Sequence, residues 1–236
     1  AVSGFTGTSE ANALAILGDD KFILGGAVGD SPARDFALVR FLANGTLDPA
    51  FGSGGTGRVT TALGAGDDLL HALAIQPDGS IVAAGRSQVG ASAHPYDFAV
   101  VRYLANGSLD TDFGVNGVVT TDFLGENDFA FDVRIQDDGK IVAAGVAFTD
   151  SGFISEKRFF AMVRYHPDGT LDTGFGAMLT SMANNGPAPF HGEAGFADNF
   201  VAYSPIAKIF FALAMMLGRL EFFTVFALLL PGFWRR

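Results

Sequence analysis

The chain has 236 residues, enough for one large or two ordinary domains with a substantial core, and a formal net charge of −10. That acidic balance argues against nucleic acid as a partner, because phosphate binding needs basic residues to displace counterions. It contains no cysteine, which excludes disulfides and thiolate metal sites.

Charge is unevenly placed. Residues 1–176 hold 11 Lys+Arg and 22 Asp+Glu, a net of 11 − 22 = −11, while residues 177–236 hold 4 and 3, a net of +1. The chain starts at Ala1 and shows no signal-peptide pattern, so it reads as a fragment of something longer.

The acidic part is an internal repeat. The phrases "FALVRFLANGTLDPAFG" (36–52), "FAVVRYLANGSLDTDFG" (98–114) and "FAMVRYHPDGTLDTGFG" (160–176) begin 62 residues apart. Alternating with them are "ALAILGDDKFILGG" (13–26), "ALAIQPDGSIVAAG" (72–85) and "DVRIQDDGKIVAAG" (132–145). A period of this length marks a propeller, solenoid or array.

Each phrase predicts a hairpin. Asn44-Gly45, Asp78-Gly79, Asn106-Gly107, Asp138-Gly139 and Asp168-Gly169 sit between short apolar runs, where a tight two-residue turn with φ > 0 fits. Two hairpins per period give four strands. Runs such as "FAVVRY" and "IVAAG" are apolar at odd and even positions alike, so both sheet faces are expected to be covered, as in radially stacked blades. Phe51, Phe113 and Phe175, each followed by glycine, are expected to be a repeated core plug.

Arg40, Arg102 and Arg164 recur in register, as do Asp48, Asp110 and Asp172. They are read as framework residues, making turn and hairpin-edge hydrogen bonds or solvated pairs, in preference to an ion-binding ring. Each turn offers one or two carboxylates against the six to eight oxygens calcium takes, so no metal and no cofactor is expected. Asp67-Asp68 and Asp137-Asp138 read as loop solubilisers. His71, His94, His166 and His191 lack a short metal-binding spacing, and no catalytic motif appears, so the chain is not expected to be an enzyme. The sequons at Asn44 and Asn106 are explained by the turns.

These phrases resemble the bacterial delta-60 repeat, a family taken to form β-propellers. The resemblance covers residues 11–176 and implies a surface or secreted module with no defined activity. Three blades are fewer than the four to eight that close a propeller, so further blades are possible partners.

The tail obeys a different solvent. Ile206 to Leu230 is 25 residues, which at about 1.5 Å each crosses a hydrocarbon core of about 30 Å. Trp234, Arg235 and Arg236 give it the aromatic and basic end of a cytoplasmic boundary. Arg219 inside such a helix costs about 3 kcal/mol on insertion scales and is expected to face protein or water. The segment "NNGPAPFHGEAGFADNF" with "SPIAKIFFALAMMLGRLEFFTVFALLLPGFWRR" resembles the C-terminus of the Trk/Ktr family of bacterial potassium transporters. That resemblance implies a pore loop over 177–203 with Asn185 and Gly186 in a filter segment, a last membrane helix within 204–236, and Arg219 beside the ion path. Potassium would be the transported ion and no cofactor is implied.

The expected architecture is therefore mainly β: a partial β-propeller-like array of about three four-stranded repeats over 1–176, then a pore-loop-like segment and one transmembrane α-helix. Three transporter repeats and one helix that the Trk/Ktr family would supply are replaced by the array. The chain thus reads as chimeric or fragmentary, with the membrane as partner, repeats outside the bacterial inner membrane and the C-terminus in the cytoplasm. The alternative is a surface-displayed binding or adhesion module with a membrane anchor.

Overall fold

The computed structural model describes residues 4–5, 7–88, 96–123, 125–149 and 157–175. The chain divides into two units, Ala1–Leu171 and Asp172–Arg236. The expected pore loop and membrane helix, with Asn185, Gly186 and Arg219, lie outside the described residues. Among the described residues no helix is long and apolar enough to cross a membrane.

The first unit is three antiparallel sheets in chain order. The first contains β1 (Ser9–Ile16), β2 (Phe22–Val28), β3 (Asp35–Phe41) and β4 (Arg58–Thr61), hydrogen-bonded in that order. The second contains β5 (Leu69–Ile75), β6 (Ile81–Gln88), β7 (Tyr96–Tyr103) and β8 (Val118–Thr121). The third has three strands, β9 (Asp128–Ile135), β10 (Ile141–Thr149) and β11 (Lys157–Tyr165). First strands neighbour one another, β1 beside β5 and β5 beside β9, while the sheets stack face to face.

The middle sheet explains the unbroken apolar runs. Along β6 and β7, Ile81, Ala83, Ala99, Val101 and Tyr103 point into a core shared with the first sheet, which adds Ile23, Phe36, Leu38 and Phe51. The alternate residues Val82, Ala84, Phe98 and Val100 point into a second core with Val133, Ile141, Ala143, Val163 and Tyr165 of the third sheet. Where both faces of a strand are dry, as along the middle of β6 and β7, apolar residues fill successive positions and period-two alternation disappears.

Turn chemistry departs from expectation. Asp78-Gly79 and Asp138-Gly139 do join first to second strands, but only the glycines take positive φ, at 87° and 80°. Asn44-Gly45 and Asn106-Gly107 close a turn beyond β3 and β7 sealed by single bridges, Phe41 to Leu47 and Tyr103 to Leu109. Each turn is closed by the glycine amide, as Gly45 N–H to Leu42 O at 2.8 Å. The preceding Asn or Asp is selected because its Oδ1 accepts the amide two residues on: Thr46 at 3.0 Å, Ser80 at 2.9 Å and Thr170 at 2.9 Å. The fourth strand arrives after a further loop, so the period is not two tight hairpins.

First strands carry a bulge. The pairing of β5 with β6 skips between Leu70 and Ala72, leaving His71 unpaired, and β1 skips likewise between Ala11 and Ala13. A side chain on Gly85, opposite the bulge, would overlap the Leu69 carbonyl oxygen. The glycine ending "IVAAG" is required by that close approach.

Candidate functional site: the joints between repeats

The residues that recur in the sequence converge where one sheet meets the next. Asn106-Gly107 of the second repeat inserts against Phe51-Gly52 of the first: Gly52 N–H donates to Asn106 O at 2.9 Å, and a Cβ on Gly107 would press on the Phe51 ring and Val59. One period on, Gly114 N–H donates to Asp168 O at 2.9 Å, with Gly169 against Gly114 and Phe113. Phe51 and Phe113 are fully buried, as a core plug requires.

Arginine locks each joint. Arg40 Nε donates to Asp48 Oδ2 at 2.8 Å, its guanidinium lies 4.6 Å from the Phe51 ring centre, and Nη1 donates to Ala105 O of the next repeat. Arg102 repeats the pattern with Asp110 at 2.7 Å, Phe113 at 4.7 Å and Pro167 O. Its planar fork allows one side chain to bond an acid, stack on a ring and cap a carbonyl together.

Of the two expected arrangements, hydrogen bonds or solvated pairs, the first joint has the hydrogen bond, made out of water: Arg40 is 7% and Asp48 2% exposed. Burial works against the Asp48 charge, but the Ala50 amide, Arg40 and Lys21 outweigh it and hold the carboxyl below the usual range. Arg164, in the first unit, donates to Gln136 Oε1 at 3.3 Å. Asp172 opens the second unit, where its Oδ1 accepts the Phe175 amide at 3.4 Å.

A tyrosine that sequence reading passed over completes the joint. Tyr103 is fully buried and its hydroxyl donates to Thr61 Oγ1 at 2.8 Å, from β7 back to β4. Tyr165 meets Thr121 at 2.6 Å in the next joint. Burial pushes both phenols well above their ordinary range. The recurrence of Tyr and Thr at the repeat spacing was the available signal.

Asp67 and Asp68 are corrected from solubilisers to buried anchors, at 4% and 0% exposure. Asp67 accepts Arg34 Nη2 at 3.0 Å, Ser31 Oγ at 2.8 Å and the Arg34 amide at 3.1 Å. The Arg34 guanidinium foremost, then Ser31 and the amide, outweigh burial and hold Asp67 down at about 2. Asp68 accepts the Leu63 amide at 2.7 Å and the Ser87 hydroxyl at 2.6 Å. Asp137 and Asp138 are exposed, as expected.

Beside the first joint lies an open cleft of about 510 Å³, lined by Asp19, Lys21, Arg40, Gln76 and Asn106 among others. Lys21 Nζ lies 2.8 Å from Asp19 and 3.5 Å from Asp48, so its charge is met by neighbours. Among the described residues, the cleft's lining contains no serine, cysteine or histidine. His71, at the β5 bulge, packs 5.5 Å from the Phe131 ring, and burial first and then Arg86 lower its basicity.

A family model described as a domain of unknown function (DUF5122) beta-propeller matches residues 17–51, 76–113 and 136–175, one segment in each repeat. The chain is also 38% identical over 63 residues to the Trk system potassium uptake protein TrkH of Escherichia coli (strain K12), and equally to those of Escherichia coli O157:H7 and Shigella flexneri. That similarity covers 27% of this chain and 12% of the length of each relative. Three matched segments and three stacked antiparallel sheets together make the repeated part of this chain a propeller-type β-repeat domain.

Proposed function

We propose that the repeats form a non-enzymatic module, joined in this chain to a Trk/Ktr-like end segment that does not conduct potassium by itself. The observation that carries the first half is how the recurrent polar residues are used: Arg40, Arg102, Asp48 and Asp110 are engaged in joints between sheets. The second half draws on the partial likeness to TrkH and on the resemblance of residues 177–236. A filter needs carbonyls from four loops to replace an ion's hydration shell, and this chain offers one such phrase at Asn185-Gly186.

On this reading the apolar stretch 206–230 would seat the chain in the bacterial inner membrane, with repeats outside and Arg235-Arg236 in the cytoplasm. The purified chain reconstituted in liposomes should give no potassium flux above empty vesicles, and Gly186→Ser should change nothing. A potassium-selective flux abolished by that substitution would overturn the proposal in favour of a pore assembled from several copies. The second reading, surface display with the tail as anchor alone, follows if the chain resides in the membrane fraction and substitution of Arg219 by leucine leaves that residence unchanged.

A further inference from the structure

Between the second and third sheets, Asp97 on β7, Asp122 just after β8 and Asp128 at the start of β9 converge, with one carboxylate oxygen of each within 4.8 Å of the others. Asp128 is fully buried. Its Oδ2 accepts the Phe123 amide at 2.7 Å, while Oδ1 is buried with no hydrogen-bond partner among the described residues. An unpaired carboxylate oxygen out of water is costly, and native structures meet such groups with a donor or an ion. Two acids thus gather around a third, buried one.

The preceding joint is an internal control. There the position of Asp128 is taken by Asp68, whose Oδ1 accepts the Ser87 hydroxyl at 2.6 Å and the Gln88 amide at 3.3 Å. Its Oδ2 accepts the amides of Leu63 at 2.7 Å and Gly64 at 3.2 Å. Repeat register sets Asp35 against Asp97, Ala62 against Asp122, and Ser87 against Ala147. Two of the differences between the joints bear directly on the buried acid. Ala147 removes the hydroxyl that would satisfy the buried acid, and Asp122 adds a carboxylate at the mouth. Each change alone destabilises an empty pocket, and together they make the donor set of a cation.

We propose that Asp97, Asp122 and Asp128 bind a hard divalent cation, calcium foremost, clamping the third sheet to the second. Oxygen-only ligands exclude soft metals, and the exposed Asp122 leaves one side open for the waters that complete calcium's six to eight ligands. The ion would neutralise the acids and supply the partner that Asp128 Oδ1 lacks.

The test is calcium titration by calorimetry of the full chain in detergent micelles after stripping with chelator, alongside thermal unfolding. One calcium per chain should bind, and unfolding should shift up by several degrees at about a hundredfold excess over the dissociation constant. Asp122→Ala, which restores the residue of the first joint, should abolish both the heat and the shift. Ala147→Ser should weaken calcium at least about tenfold, because its hydroxyl competes for Asp128, while raising the unfolding temperature of the stripped protein. No heat and no shift with calcium, magnesium or manganese would overturn the assignment, as would calcium bound by Asp122→Ala with unchanged affinity.

Discussion

Asp67 concentrates three donors on one carboxylate, and its acidity becomes a property of the fold. Its folded value near 2 lies below the ordinary 3.8, so the stabilisation is fully present above about pH 4 and drains away as pH falls towards 2. The shift corresponds to about 2 kcal/mol. Urea midpoints measured at pH 5 and pH 2.5 should differ by more in the native chain than in Asp67→Asn, which has no proton to take up; equal differences would remove Asp67 from the account. Sequence reading placed this acid among surface solubilisers. Its donors sit at Ser31 and Arg34, more than thirty residues away, and only a fold brings them to it. The recurrent arginines were legible as framework because the period repeats them, but the burial of Arg40 was not.

The first-to-second-strand unit combines a bulge with a glycine that has no room for a side chain. Gly85→Ala should cost about 2–3 kcal/mol, because the added methyl would meet the Leu69 carbonyl, which is backbone and cannot swing aside. Gly18→Ala, where a Cβ would meet nothing within 4 Å, should stay within about 0.5 kcal/mol. Chemical denaturation of both variants checks the pair, and similar costs at the two positions would refute the steric account. Turn positions were legible from Asn-Gly and Asp-Gly, since those residues satisfy local geometry. Turn type was not: an Asx side chain accepting the amide two residues on serves a turn with one positive φ as well as a turn with two. The fourth strands, four residues each and reached after a loop, leave almost no periodic trace.

At the scale of the whole first unit, stability resides between sheets. The middle sheet divides its apolar residues between two cores, so neither face is closed without a neighbour. Residues 60–122 alone should therefore show a disordered circular-dichroism spectrum, and a cooperative unfolding transition from that fragment would contradict stacking as the source of stability. The apolar run with no alternation announced this arrangement, because a wet face would have imposed polar residues at every second position. A metal-binding junction was not announced: Asp97, Asp122 and Asp128 lie on three separate segments, and no local spacing joins them.

The joints have a head and a tail: a turn of the later repeat always enters beneath the Phe-Gly of the earlier one. Heredity can use that polarity. Duplicating or deleting one whole repeat, about 60 residues, in register rejoins an existing kind of head to an existing kind of tail, and creates no interface that selection has not already tested. A cut out of register strands a plug without its turn. Copy number is therefore the variable along which such a gene changes most freely, and a lineage would be expected to differ by whole periods sooner than by parts of one.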